Sequence, residues 1–154
     1  MARKFHLVSK YKETSDFIMP RRSTKLSAGY DIYNNTGKDI TLKPGELSAA
    51  ITTMIKIEME STDVCMFHVR SSHGFKYSVR LANSTGIIDA DYFNNQSNEG
   101  ECFIKLHNQG DKELVIKSGE AMAQAIFTTY LTTDDDSDTV GGNRDGGIGS
   151  TTGK

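Results

Sequence analysis

Hydrophobic and polar residues alternate with a period of two along much of this chain. Phe5 and Leu7 are separated by His6 and flanked by Lys4 and Ser9. Val64, Met66 and His68 oppose Cys65, Phe67 and Val69. Cys102, Ile104 and Leu106 oppose Phe103, Lys105 and His107, and Leu114 and Ile116 repeat the pattern. Successive side chains of a strand point to opposite faces, so this pattern predicts short, half-buried strands. Helical periodicity is nearly absent. The spacing allows one short helix, over Ser71 to Tyr77.

Turn signals fall between the apolar runs, at Thr36-Gly37-Lys38, Lys43-Pro44-Gly45-Glu46, Asn108-Gln109-Gly110-Asp111 and Lys117-Ser118-Gly119-Glu120. Pro44-Gly45 suits the centre of a type II turn, because Pro sets the first φ and Gly accepts a positive second one. Many short strands at this spacing predict an all-β sandwich or barrel. Val79 to Leu81, followed by a turn and Gly86 to Ile88, reads as a β-hairpin. Three segments resist the strand pattern: Arg70 to Ser72, Asn83 to Gln96, and the acidic run Asp134 to Asp138. The acidic run reads as a solvated tether.

A chain of 154 residues makes one domain with at most a small appendage. The division expected is a β-domain over 1–133 and a tether with a terminal arm over 134–154. A net charge of −2 does not mark a general nucleic-acid binder. No apolar run reaches membrane-spanning length. The N-terminus is basic but has no apolar stretch of the signal-peptide kind, so a cytoplasmic protein is expected. Cys65 and Cys102 lie in alternating apolar segments and read as buried, reduced thiols. The four histidines show no zinc-ligand spacing.

Candidate chemistry gathers in a few places. Six of the last fourteen residues are Gly, standing among Arg144, Ser150, Thr151 and Thr152. Such a tail is either an unstructured terminus or an arm that orders around an anion, offering unshielded N–H groups, hydroxyls and a guanidinium. It is not a Walker A loop: Ile148 stands where that pattern needs Gly, and no Ser or Thr follows Lys154. Asn83 offers an amide donor and acceptor that could read a planar base, or it serves a turn. Asp89, after two isoleucines, is either a loop cap or a general base beside an apolar wall. Arg70-Ser71-Ser72 is a phosphate-binding set that is common by chance. Gln124 is a polar residue in a long apolar strand, so it points outward or serves a ligand.

In order, Ala28-Gly29-Tyr30-Asp31, Arg70-Ser71-Ser72, Asn83-x-x-Gly86-x-Ile88-Asp89-x-Asp91-Tyr92, Gly119-Glu120-x-x-Ala123-Gln124 and Arg144-x-Gly146-Gly147-x-Gly149-Ser150-Thr151 resemble the five motifs of the trimeric dUTPases. The resemblance runs over residues 4 to 153. It implies a jelly-roll-like β-clip domain assembled as a homotrimer. The active sites would lie between subunits, and the C-terminal arm would close over them. The implied reaction is dUTP plus water to dUMP plus pyrophosphate, with Mg²⁺ held mainly by substrate phosphates and water.

By the same resemblance, Asp89 would activate the attacking water. Asn83 and the backbone around Gly86 and Ile88 would read uracil, and Tyr92 would lie under the deoxyribose and reject a 2′-hydroxyl. Arg70, Ser71, Ser72 and Gln124 would hold phosphates. Arg144, Ser150 and Thr151 would cover the γ-phosphate, and Ile148 the uracil. Asp31 and Asp91 would be supporting residues, Asp31 orienting an arginine or a metal-bound water.

Three departures from the family pattern stand out. Ile148 replaces an aromatic residue, giving up about a kcal/mol of stacking and predicting a weaker lid. Ala121 replaces an arginine, at the cost of a surface salt bridge. Phe93 to Gly100 forms a longer polar loop that alters either the trimer edge or the substrate entrance. A dCTP deaminase of similar fold would need a glutamate beside the base, and the Arg144 arm argues against it. A catalytically idle nucleotide sensor is opposed by the presence of Asp89, Asp91, Tyr92 and Arg144.

Overall fold

The computed structural model describes residues 2–136. Thirteen short strands and one helix follow in order among them: β1 (Lys4–Leu7), β2 (Arg21–Arg22), β3 (Tyr30–Tyr33), β4 (Ile40–Leu42), β5 (Ile51–Thr52), β6 (Ile55–Glu58), β7 (Asp63–His68), α1 (Ser71–Tyr77), β8 (Val79–Leu81), β9 (Gly86–Asp89), β10 (Phe103–Ile104), β11 (Leu106–Asn108), β12 (Leu114–Ile116) and β13 (Ala121–Thr129). All pairings are antiparallel. The largest sheet runs β2-β3-β13-β7-β9, and the remaining strands pair as β1-β6, β5-β10, β8-β11 and β4-β12. This is the all-β architecture the alternation predicts, in the jelly-roll-like form the family resemblance implies.

Burial follows the sequence pattern closely. In β7 the outward-facing Val64, Met66 and His68 are half-buried, whereas Cys65 and Phe67 are fully inside. Phe67 joins Ile32, Leu42, Ile55, Ile57, Leu81, Leu106 and Met122 in one core. Truncating an aromatic side chain in such a core costs about 3–5 kcal/mol. Strand β13 crosses the middle of the large sheet, between β3 and β7, and its Ala121, Met122, Ala123 and Ala125 are buried. Both cysteines are free and buried, and burial pushes the Cys65 thiol up to about 12.

The helix spans the residues the sequence marks for it. It ends on Ser78, in the left-handed region, whose N–H bonds the Gly74 and His73 carbonyls. Gly45 has φ +77 and Glu46 N–H bonds the Lys43 carbonyl, closing the Pro44-Gly45 turn.

One local expectation fails. Val79–Leu81 and Gly86–Asp89 are joined by a tight turn, with Ser84 N–H on the Leu81 carbonyl and Ser84 at φ +63. The two strands nevertheless do not pair with each other: β8 pairs with β11, and β9 pairs with β7. The turn carries the chain from one sheet to another, so the segment is not a hairpin.

Two buried carboxylates are neutralised near the N-terminus. Asp63 is held by Arg3, with Nε 2.6 Å from Oδ2. Glu101 is 1% exposed and receives Lys10 Nζ, the Thr52 hydroxyl and the Tyr11 hydroxyl at 2.5, 2.5 and 2.7 Å. Burial opposes the Glu101 charge, but these donors outweigh it and hold the carboxyl below its usual range.

Candidate active site

One end of the large sheet collects the residues of an open polar pocket: Asp31, Arg70, Ser71, Ser72 and Gln124. Three elements bring them there. Strand register sets Gln124 of β13 opposite Asp31 of β3 on one side and His68 of β7 on the other. Two residues beyond His68 the chain leaves the sheet at Arg70, whose extended backbone leads into α1. The exposed Ser71 and Ser72 therefore open the helix beside the pocket.

The arginine is fixed from two sides. Its Nε stands 3.3 Å from Asp31 Oδ1, and its Nη1 donates to the Ala121 carbonyl at 3.4 Å. Asp31 is held in turn by the Ser23 hydroxyl, which donates to Oδ2 at 2.7 Å. Gln124 donates from Nε2 to the Val69 carbonyl at 3.1 Å, leaving its oxygen near Gly29. A Cβ on Gly29 would lie 2.5 Å from that oxygen, so the Ala28-Gly29-Tyr30-Asp31 run needs glycine here for close approach.

Ala121, where the family pattern carries an arginine, is buried, and its carbonyl accepts the hydrogen bond from Arg70. His73 lies behind Arg70, 9% exposed, and its Nδ1 has no hydrogen-bond partner among the described residues. Burial first, and then Arg70, hold His73 below the usual histidine range. Ser23 and His73 carry no signal of their own in the sequence. Only the chain crossing at Asp31 and the helix packing behind Arg70 reveal them.

The second group of candidates sits at the β9 edge of the same sheet, on β9 and its flanking turns. Asn83 is exposed in the turn before β9. Gly86 pairs with Phe67, and an added Cβ would lie 3.1 Å from the Phe67 Cβ and 3.8 Å from Asn83 Nδ2. Ile88 and Asp89 are half-buried, and Asp91 is exposed. Tyr92 is 7% exposed and its hydroxyl turns inward, donating to the Glu101 carbonyl at 2.9 Å. What Tyr92 can present to a ligand is therefore its ring, not its hydroxyl.

These two groups do not converge within one chain. Gln124 pairs with His68, and Asp89 pairs with Val64, on opposite sides of β7. Four residues along a strand and two strand spacings across it amount to roughly 16 Å. Arg144, Ile148, Ser150 and Thr151 lie outside the described residues. Among the described residues, no three His, Cys, Asp or Glu side chains gather as a metal-binding cluster, and no helix is long and apolar enough to cross a membrane.

A family model for dUTPase matches residues 15–152. The deoxyuridine 5′-triphosphate nucleotidohydrolase of Lactococcus lactis subsp. lactis is 41% identical over 149 residues, covering 97% of each chain. That of Desulfitobacterium hafniense is 34% identical over 110 residues, or 71% of this chain and 68% of its own. In structure, the dUTPase from Streptococcus mutans superimposes with a TM-score of 0.73 at 33% identity, over 86% of this chain and 99% of the other. The dUTPase of phage phi11 of S. aureus shares the fold at 22% identity, with a TM-score of 0.65 over 87% and 94% of the two chains, and is described with a structural Mg(II) ion. The first four ordered motifs are thus carried on the matching fold, in a chain similar over nearly its whole length, and the protein belongs to the dUTPase family.

Proposed function

We infer that this protein hydrolyses dUTP to dUMP and pyrophosphate, at a site completed between copies of the chain. The observation that carries the reading is the pocket in which Asp31 braces Arg70 beside Ser71, Ser72 and Gln124. A guanidinium fixed by a carboxylate, two hydroxyls and an amide form a set of donors suited to phosphate oxygens. Membership of the dUTPase family supplies the substrate class.

Asp89 accepts the proton of a water whose oxygen bonds to the α-phosphorus. The bond from that phosphorus to the oxygen bridging to the β-phosphorus breaks, and pyrophosphate leaves with the electron pair. Such proton transfer contributes about 10²–10⁴ to a rate. Arg70, Ser71, Ser72 and Gln124 hold phosphate oxygens and balance charge as it shifts to the leaving group. Asn83 and the backbone around Gly86 and Ile88 read uracil. Asp91 supports the β9 end of the site. The Tyr92 ring lies under the deoxyribose.

The roughly 16 Å between Asp89 and Gln124 is too long for both to touch one phosphoryl group. It favours a site in which one subunit supplies the phosphate pocket and another supplies Asp89, as in a homotrimer. The chain divides into a β-domain over 1–133 and a tether with an arm over 134–154. On the arm, Arg144, Ser150 and Thr151 cover the γ-phosphate and Ile148 covers the uracil.

The donor set of the pocket fits Mg²⁺ carried by the substrate. Asp31 is its one carboxylate, already engaged by Arg70 and Ser23, so it would reach a substrate-borne ion through water and would not form a cage of its own. The ion, when bound, neutralises phosphate charge. In the cell the reaction keeps uracil out of DNA and supplies dUMP.

The test is pyrophosphate release from dUTP, dTTP, dCTP and UTP side by side in magnesium buffer, for the full chain and for a truncation before Gly141. Turnover of dUTP alone, severely reduced by truncation, is expected. Absence of release from dUTP would overturn the activity, and an undiminished truncation would overturn the lid.

A further inference from the structure

The polar loop from Phe93 to Gly100 turns back onto Tyr92. Asn98 donates from Nδ2 to the Tyr92 hydroxyl at 2.7 Å and to the Glu101 carbonyl at 3.3 Å. The Tyr92 hydroxyl donates to that same carbonyl at 2.9 Å. The far end of the ring is thus closed in a triangle of three groups.

The loop that carries Asn98 is itself braced. Asn98 Oδ1 accepts from Asn95 Nδ2 at 2.8 Å and from the Gly100 N–H at 3.1 Å. Asn95 also donates to the Tyr92 carbonyl at 2.9 Å. On the outside, the Glu99 carboxylate receives Lys56 Nζ at 2.5 Å and the Ser9 hydroxyl at 2.6 Å. Gly100 has φ +83, and a Cβ there would lie 2.6 Å from the Tyr92 carbonyl, so the loop backbone passes directly against the tyrosine.

We propose that Asn98 is a positioning residue that fixes the Tyr92 ring and thereby sets how firmly the site rejects a ribose 2′-hydroxyl. The proposal rests on the reading of Tyr92 as the surface beneath the sugar. Discrimination by steric exclusion requires a wall that does not yield. A ring held only through Cα and Cβ can tip by a few tenths of an ångström and admit one more oxygen. A ring held also at its hydroxyl, by a donor in a braced loop, cannot tip without breaking those hydrogen bonds.

The test measures kcat and KM for dUTP and for UTP in the wild type, Asn98→Ala, Tyr92→Phe and the double variant. Tyr92→Phe keeps the ring and its packing, so it reports on the clamp even if Asn98→Ala folds poorly. Each single change is expected to lower the dUTP-over-UTP ratio of kcat/KM by about fivefold, the scale of one net hydrogen bond. The double variant should be no worse than either single one, because both remove the same contact. Glu99→Ala, which releases the outer brace and leaves the Asn95–Asn98 contacts, should lower the melting temperature and move the ratio less than Asn98→Ala does. A wild type that discriminates, with a ratio unmoved in both folded single variants, overturns the positioning role alone. A wild type that turns over dUTP and UTP alike overturns the sugar-facing reading of Tyr92 and this proposal with it.

Discussion

The Asp31 carboxylate faces the Arg70 guanidinium at 3.3 Å while its other oxygen takes the Ser23 hydroxyl at 2.7 Å. Asp31 is therefore a splint for Arg70, itself held in place from the strand edge. Asp31→Asn keeps the shape and removes the charge. It should lower kcat/KM for dUTP by about tenfold, the scale of one charge-assisted hydrogen bond, chiefly through KM. Steady-state kinetics would show it, and unchanged KM would mean that Arg70 needs no splint.

Gly29 tests the same pocket from another side. A methyl group here meets the far end of the flexible Gln124 side chain and not backbone. Gly29→Ala should displace the Gln124 amide from the Val69 carbonyl and reduce turnover of dUTP, while thermal melting moves by only a degree or two. A large loss of melting temperature would indicate that the collision is relieved through the strands instead.

Asp89→Asn removes the proton acceptor and keeps the volume. Turnover should drop by about 10²–10⁴, while nucleotide binding, followed by calorimetry, persists. Loss of binding together with turnover would assign Asp89 to holding the substrate.

Stability should fall with acid in two stages. His73 is held below its usual range by burial and then by Arg70, so the unfolded chain takes up its proton first as pH drops below about 6.5. This contribution is whole above that pH and is lost as pH falls toward the folded value. Asp63 is held low by its hydrogen bonds from Arg3, and Glu99 is pulled down to about 2 by Lys56 and then Ser9. Their contributions are present above the ordinary carboxylate range, about 4; that of Glu99 is lost between there and about pH 2, and that of Asp63 as pH falls through its lowered value. Melting temperatures across this span should show both declines, and His73→Asn should remove the upper one.

The strands and the helix could be read in the chain because they are local. Alternation at Val64 to Val69 is a statement about which side of a pleat each residue occupies, and β7 obeys it residue by residue. Ser71 to Tyr77 lacks alternation and ends in the helix found there. The failed hairpin marks the limit of such reading: Val79–Leu81 and Gly86–Asp89 look like partners because they are neighbours in sequence. The Asn83 turn instead sends them to separate sheets, where they pair with Leu106–Asn108 and β7. The same limit applies to Ala121, whose burial depends on what lies across the sheet.

By itself the sequence determined the period of the strands, the place of the helix and the order of the five motifs that ally it with the dUTPases. Those properties reside in short stretches and in residue type. Only the tertiary structure decided that Asp31, Arg70 and Gln124 share one pocket, that Asp89 stands well away from it, and that Asn98 grips the Tyr92 hydroxyl. Such neighbours are chosen by register between strands distant in the chain, where a shift of one residue would turn every side chain to the other face.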